Sequence, residues 1–244
     1  MTDHGCAVQS EGPTAAAVGC KHAEKKFKSD AEEKGSSSST IAVPAGSQTA
    51  QHFKMYKPTR VLTQFTFTRT KRKKRKLLGD LHRFPEDTMA IGRLDEDSEG
   101  LLLLTTDGIT SNRVRQKSIE KEYYCQVDGI INKEAIGRLR KGVEISVEGK
   151  LYTTLPCQAR ILDCGPNEGS LPPAIPSPSR MIRDARHGPT SWVSITITEG
   201  KNRQVRRMTA AVGHSTLRLV RVRVGSIVLD GMAVGEVRKI NIDI

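Results

Sequence analysis

The sequence has few cysteines, and none of them form a pair at metal-binding spacing. Its five cysteines are scattered over 244 residues without a C-x-x-C motif, so neither a disulfide framework nor a zinc site is indicated. Long apolar runs are also missing. The four leucines of 101–104 fall far short of the ~20 apolar residues that a membrane-spanning helix requires. We therefore expect a protein of a reducing compartment, the cytoplasm, that has no membrane partner.

Aromatic residues are scarce, and acidic residues are outnumbered by basic ones. Four Tyr, five Phe and one Trp are too few for the aromatic platform of a single-strand-binding protein. Against 27 Asp and Glu the chain carries 39 Lys and Arg. This excess of positive charge predicts a polyanionic partner such as nucleic acid.

The charge is distributed unevenly along the chain. Residues 1–50 carry five Lys and no Arg against six acids, which leaves 34 basic and 21 acidic residues for 51–244. The first segment also has few large apolar residues and a serine run, so it buries too little surface to offset its chain entropy. We predict a disordered tail over 1–50 and a folded domain over 51–244. The tail lacks a signal-peptide pattern, and an organellar or nuclear address stays open if the source is eukaryotic.

Strand and helix patterns interleave in the second part. Asn132 and Gly142 suit the cap and the stop of one helix, and 203–212 predicts another before Gly213. Pro, Gly and Ser residues predict a loop over 165–190. A regular βαβ rhythm is missing, which favours an α+β fold with a mostly antiparallel mixed sheet and flanking helices. Alternation predicts strands over 61–68, 121–128, 192–198 and 217–224.

An acidic cluster stands directly before the four leucines. Asp95, Asp97 and Glu99 alternate there, beside an apolar strand where a carboxylate can be perturbed. A calcium loop is excluded, because the twelfth position is Thr106 and the pattern requires a bidentate Glu. A solvated turn without chemistry and a glycosidase-like carboxylate pair remain alternatives.

A basic segment, 201–223, contains seven Lys or Arg and no acid. On the predicted helix, Arg203, Arg206 and Arg207 lie apart from the apolar stripe. On the following strand, Arg221 and Arg223 point away from the valines between them. The segment predicts a phosphate-binding surface, with an ordinary solvated face as the alternative.

Three segments follow one another in a fixed order: GRLDEDSEGLLLLTTDG at 92–108, KEYYCQVDG at 121–129 and ITEGKNRQVRRMTAAVGHSTLRLVRVRVGSIVLDG at 197–231. Together they resemble the ordered motifs of the RsuA-type RNA pseudouridine synthases, and above all the RluE-like branch that acts on large-subunit ribosomal RNA. The similarity covers most of 52–240. An amino-terminal S4 RNA-binding domain is not expected.

The resemblance implies a reaction and three catalytic residues. Uridine in ribosomal RNA would be converted to pseudouridine by breaking the N1–C1′ bond and rejoining the base through C5, without a cofactor. The resemblance assigns the catalytic carboxylate to Asp95, the active-site tyrosine to Tyr123, and the arginine that pairs with the aspartate to Arg206. Asp95 can stabilise positive charge on the sugar or bond to C1′, and routes through the uracil ring or a glycal stay open.

The resemblance also implies that some residues contact RNA. Arg93 beside the aspartate is a candidate for the side chain that flips the uridine out of its stack. The basic run 71–76 predicts RNA phosphate contact or a nuclear address. We expect a monomer, and a non-catalytic RNA-binding or ribosome-assembly protein with the same fold is the alternative. The candidate RNA-binding residues are Arg93, Lys201, Arg203, Arg207, Arg221 and Arg223.

Overall fold

The computed structural model describes residues 49–66, 75–164, 171–172, 175–182 and 185–243. These residues belong to a single unit, Gln48–Ile244. The predicted tail lies outside the described residues except for its last two positions, and the basic run does so except for Arg75 and Lys76.

Strands outnumber helices in the described part. The strands are β1 His52–Lys57, β2 Val61–Leu62, β3 Lys76–Leu77, β4 Met89–Ala90, β5 Glu99–Thr105, β6 Lys121–Asp128, β7 Glu144–Val147, β8 Lys150–Thr153, β9 Gln158–Leu162, β10 Thr190–Ile197, β11 Thr216–Val224, β12 Ile227–Val228 and β13 Val237–Ile240. The α-helices are α1 Gly108–Val114, α2 Lys133–Lys141 and α3 Gln204–Ala211, and short 3-10 turns cover Leu78–Asp80 and Ala185–His187.

One mixed sheet of nine strands dominates the described residues. Its central order is β13-β1-β5-β11-β6-β10-β9, while β4 pairs with β5 and β12 with β11. All these pairings are antiparallel except that of β5 with β11. The predicted α+β class with a mostly antiparallel mixed sheet is confirmed.

Helix α2 begins and ends where the local sequence signals predicted. The Asn132 side chain accepts a hydrogen bond from the Ala135 amide at 2.8 Å, and Gly142 ends the helix at φ +95°. The strand predicted over 61–68 is wrong in length, because only Val61–Leu62 pairs, with β3, in the part that the structure describes. The chain bends after this pair and packs Phe65 edge-on against Phe84, with ring centroids 5.6 Å apart.

The two faces of the sheet bury separate cores. Helices α2 and α3 cover one face, where Leu139 and Met208 pack against Cys125 and Ile195. The opposite face buries Trp192 among other large side chains. None of the helices in the described ranges has the length and apolarity needed to cross a membrane.

The parallel pairing within the nine-stranded sheet brings β5 and β11 close together at Gly100. Gly100 has φ +101°, and a Cβ there would lie 2.4 Å from the carbonyl oxygen of Arg221. Only glycine fits this approach without a backbone shift. The contact fixes the start of β5, and with it the acidic loop that precedes β5.

Candidate active site

Asp95 lies on the loop between β4 and β5, and its neighbours hold this loop in place. The Thr63 hydroxyl donates to the Leu94 carbonyl at 2.7 Å and accepts from the Leu94 amide at 3.2 Å. The Ser98 amide donates to the Asp95 carbonyl at 3.1 Å. The Asp95 side chain keeps 34% of its surface exposed, so its carboxylate is both positioned and accessible.

A buried lysine fixes the far end of the same loop. The Lys57 Nζ donates to the carbonyl oxygens of Pro58 and Ser98, each at 2.8 Å. Burial lowers the pKa of Lys57 to about 8, even though Glu99 and the acids of the loop favour its charged form. Both forms of the amine can donate these bonds, so Lys57 connects β1 to the loop.

Arg203, and not Arg206, reaches the Asp95 carboxylate. The Arg203 Nη1 lies 3.5 Å from Asp95 Oδ2, and the same guanidinium donates to both carboxylate oxygens of Asp97, at 2.9 and 3.0 Å. Arg206 instead donates to the Asp97 carbonyl at 2.9 Å and the Ser98 hydroxyl at 3.4 Å. The predicted pairing of Arg206 with Asp95 is therefore wrong: Arg206 lies nearly one turn further along α3, beneath the loop backbone.

Asp97 connects the two arginines. Burial alone would raise the pKa of the Asp97 carboxyl, but hydrogen bonds from Arg203 and the charges of Arg206 and Arg203 outweigh burial and lower it. Burial lowers the pKa of Arg206, which the Asp97 charge opposes. An ionised Asp97 thus orients Arg203 towards Asp95 and holds Arg206 under the loop.

The backbone at Arg203 is unusual. This residue caps α3 with φ 52° and ψ 32°, the left-handed region, and its side chain provides no cap hydrogen bond. A non-glycine residue in this region costs roughly 1–3 kcal/mol and is found where the surroundings enforce it. In this conformation the Arg203 side chain makes its bidentate contact with Asp97.

Tyr123 shares a cavity with Asp95. The cavity has a volume of about 100 Å³ and is also lined by Arg93, Lys201 and Arg203. Tyr123 lies on β6 and is half-buried between two parts of the core. The structure thus brings together the carboxylate and the tyrosine that the sequence predicted, with an arginine beside them.

Three of the predicted basic residues, Arg93, Lys201 and Arg203, line this cavity, and Arg207 does not. Arg93 and Lys201 are exposed, and the Lys201 Nζ sits 4.6 Å from the centre of the Tyr152 ring. Arg207 donates to the Ser146 carbonyl and, at 3.1 Å, to Asn202. Their contacts with RNA remain a prediction.

The predicted basic face of strand β11 is wrong. Arg221 is paired in register with Tyr123, whereas Arg223 is paired with Glu122, because a bulge shifts the register between the two arginines. Consecutive β6 residues point to opposite faces, so the two arginines do as well. Arg223 is neutralised by Glu120 and Glu122, at 2.9 and 3.1 Å.

A third arginine of the basic segment is buried in the core. The Arg218 side chain is paired with Glu99, with Nε 2.8 Å from Oε1. Glu99 is thus paired with Arg218, whereas Asp95 and Asp97 are paired with Arg203. The described residues contain no group of three or more His, Cys, Asp or Glu suited to a metal ion.

Sequence reasoning missed several cations near Tyr123. Arg115, Lys117 and Lys121 line a second cavity that adjoins the first. The sequence carries a signal for Arg115 and Lys117, since the segment 113–117 places three basic residues in five positions without an acid. This segment lies between the motifs on which the resemblance is based, and Lys121 is the first residue of the second motif.

The family model and the similar curated proteins all name pseudouridine synthases. The family model described as RNA pseudouridylate synthase matches residues 51–211. The ribosomal large subunit pseudouridine synthase E of Xanthomonas axonopodis pv. citri is 45% identical over 180 residues, which are 72% of this chain and 87% of that protein. Its namesake from Vibrio parahaemolyticus is 42% identical over 159 residues, 64% of this chain and 62% of that protein.

A solved structure agrees with the sequence comparisons. A crystal structure of a pseudouridylate synthase superposes with a TM-score of 0.60 and 26% identity, over 79% of this chain and 70% of that one. The family match over residues 51–211 includes the Asp95 loop and the strand that carries Tyr123.

Proposed function

The chain belongs to the RNA pseudouridylate synthase family, as its motifs indicated, and we propose that it isomerises a uridine of large-subunit ribosomal RNA to pseudouridine with Asp95 as the catalytic carboxylate. The observation that carries this proposal is the cavity that Asp95 and Tyr123 both line, with Arg203 3.5 Å from the Asp95 carboxylate. The choice of large-subunit RNA is supported by the names of the similar proteins from Xanthomonas and Vibrio.

The reaction needs a carboxylate at the sugar. Cleavage of the N1–C1′ bond develops positive charge on the ribose, which a carboxylate at Asp95 stabilises by its charge or by bonding to C1′. The uracil then turns, C5 bonds to C1′, and the proton lost from C5 balances the proton gained at N1. Substrate and product are isomers, so the reaction needs no redox or group-transfer cofactor.

The surrounding side chains have distinct tasks in this scheme. The Tyr123 ring offers a face on which the uracil stacks, and its hydroxyl can take part in the proton transfer. Arg203 orients the Asp95 carboxylate, and Arg206 acts through the backbone of Asp97 and the hydroxyl of Ser98. Arg206 is therefore a positioning residue rather than a group that touches substrate.

The substrate must reach Asp95 as a flipped nucleotide. A uridine within structured RNA leaves its stack at a cost of about a few kcal/mol before an enzyme can act on its sugar. Arg93 is exposed and lines both cavities, so it is placed to contact the strand or fill the gap left by the base. We further propose that the protein acts as a monomer in the cytoplasm.

Pseudouridine mapping tests the proposal. Ribosomal RNA from cells that lack the protein is incubated with the wild type or with Asp95→Asn, and the modified positions are mapped. We expect the wild type to form pseudouridine at a defined uridine of the large-subunit RNA and Asp95→Asn to form none. A wild type that binds this RNA but modifies no uridine would leave the non-catalytic RNA-binding protein as the better description.

A further inference from the structure

A second cavity of about 420 Å³ adjoins the Asp95 cavity and shares Arg93, Tyr123 and Lys201 with it. We refer to it as the Arg221 cavity. Among the described residues its lining contains one acid, Glu199, and six cations. The cations are Arg93, Arg115, Lys117, Lys121, Lys201 and Arg221.

Glu199 offsets only one of the six positive charges and forms no ion pair with any of them. Its carboxylate accepts hydrogen bonds from the Tyr152 hydroxyl at 2.5 Å, the Leu155 amide at 2.9 Å and the Gln204 side chain at 2.5 Å. Across the part of the chain that the structure describes, none of the six cations forms an ion pair with a carboxylate. The lining therefore keeps an excess of positive charge that no carboxylate among the described residues pairs with directly.

One of the six cations, Arg221, is buried, with only 5% of the residue exposed. Its Nε donates to the Leu101 carbonyl at 2.8 Å, while its two Nη atoms have no hydrogen-bond acceptor among the described residues. A buried guanidinium without an opposing charge is unfavourable unless something neutralises it. Arg221 lines the cavity, so an anion bound in the cavity would neutralise its charge.

Lys121 contributes a second cation at the base of the cavity. Its Nζ donates to the Thr198 carbonyl at 2.9 Å, which leaves donors for a ligand. Burial lowers the pKa of Lys121, and the nearby Arg221 charge lowers it further. Two cations that disfavour each other therefore share one wall of the cavity.

We propose that the Arg221 cavity binds a backbone phosphate of the RNA strand next to the target uridine, an inference that rests on the proposed function. Arg221 and Lys121 contact the phosphate at the base of the cavity, and Arg115 and Lys117 at its rim. A guanidinium fork suits the oxygens of a phosphate. Arg221 is the cross-strand partner of Tyr123, so a phosphate there lies beside the nucleotide that stacks on the tyrosine.

The first test is independent of catalysis. The affinity of full-length protein for a twelve-residue oligouridine RNA is measured against salt concentration for the wild type, Arg221→Gln, Lys117→Gln and the control Lys141→Gln. Lys141 is exposed and lies at the end of α2, outside the cavity. Each lost phosphate contact lowers the log–log slope by about 0.7 on a single strand, and the control keeps the wild-type slope.

This test distinguishes phosphate binding in the cavity from a general attraction of RNA to the positive charge of the protein. Wild-type slopes for both cavity variants, or an equal loss in the Lys141 control, overturn the proposal. Lys117 is exposed, so Lys117→Gln carries the test if Arg221→Gln fails to fold, as judged by thermal melting. Arg221→Lys retains the charge and should recover most of the slope.

The second test locates the phosphate. In strands that contain the mapped uridine, single linkages are replaced by neutral methylphosphonates, and affinity is measured for wild type and Arg221→Gln. One linkage beside the uridine should weaken wild-type binding at least fivefold and leave Arg221→Gln unaffected, the coupling expected of direct contact. Additive effects at every linkage overturn the proposal. If the wild type forms no pseudouridine but the cavity variants have lower salt slopes than the wild type, the proposed function is wrong, and the cavity is still a binding site for an RNA phosphate.

Discussion

The substitutions Arg203→Gln and Arg206→Gln should differ in what they impair: one should lower mainly the reaction rate, and the other should lower mainly the free energy of unfolding. Arg203 contacts the Asp95 and Asp97 carboxylates, while Arg206 holds the loop backbone. We therefore expect Arg203→Gln to impair mainly the chemical step and Arg206→Gln to impair mainly the fold around the loop.

The magnitudes follow from exposure and hydrogen bonding. The Arg203 side chain is 42% exposed, and such ion pairs contribute roughly 0.2–1 kcal/mol each to stability. Arg206 is 11% exposed and donates to the carbonyls of Asp97 and Thr216 at 2.9 and 3.2 Å. Hydrogen bonds from charged groups contribute roughly 1.5–3 kcal/mol each. Its buried Nε lacks a partner, which offsets part of this, so we expect Arg206→Gln to cost about 2–4 kcal/mol.

The assay combines urea unfolding with single-turnover pseudouridine formation. For Arg203→Gln we expect a loss of unfolding free energy of about 1 kcal/mol or less and a rate at least tenfold lower, which corresponds to about 1.4 kcal/mol of activation free energy. Adding Asp95→Asn to Arg203→Gln should cost little more than Asp95→Asn alone, because the pair acts as a unit. A wild-type rate for Arg203→Gln would refute the assignment of Arg203 to Asp95.

Three other predictions follow from the site. Asp95→Asn should reduce pseudouridine formation below detection in single-turnover assays while RNA affinity in a parallel binding assay stays near wild type. Gly100→Ala should lower the unfolding free energy in urea by at least about 1–3 kcal/mol, because its Cβ would lie 2.4 Å from the Arg221 carbonyl oxygen; an unchanged midpoint contradicts this. The Lys57 pKa of about 8 lies below the ordinary value of 10.5, so between these values the unfolded chain binds more protons and stability rises with pH. Lys57→Met should abolish that contribution in urea unfolding followed from pH 7.5 to 10.5, and an unchanged pH dependence contradicts it.

Local sequence signals predicted those elements whose causes are local. The Asn132 cap and the Gly142 stop involve atoms within a few residues, so α2 could be placed from the sequence with its boundaries. The strand at β6 followed from the alternation that buries Cys125 and Val127. The length of β2 could not be predicted in this way, because the pairing of Val61 ends where Phe65 turns towards Phe84.

The sequence by itself determined the family and the meeting of Asp95 with Tyr123, because those residues stand in ordered motifs. Only the tertiary structure decided which arginine reaches Asp95, since helix phase and the position of Asp97 distinguish Arg203 from Arg206. The tertiary structure also determined the surroundings of the β11 arginines. Acids from distant segments pair with Arg218 and Arg223, and a bulge places Arg221 and Arg223 on opposite faces of the sheet. The alternation of residues along one strand does not show which residues lie opposite it or where its register shifts. The three arginines of β11 therefore have different surroundings: Arg218 is in a buried ion pair, Arg223 is neutralised by acids, and Arg221 has no carboxylate partner among the described residues.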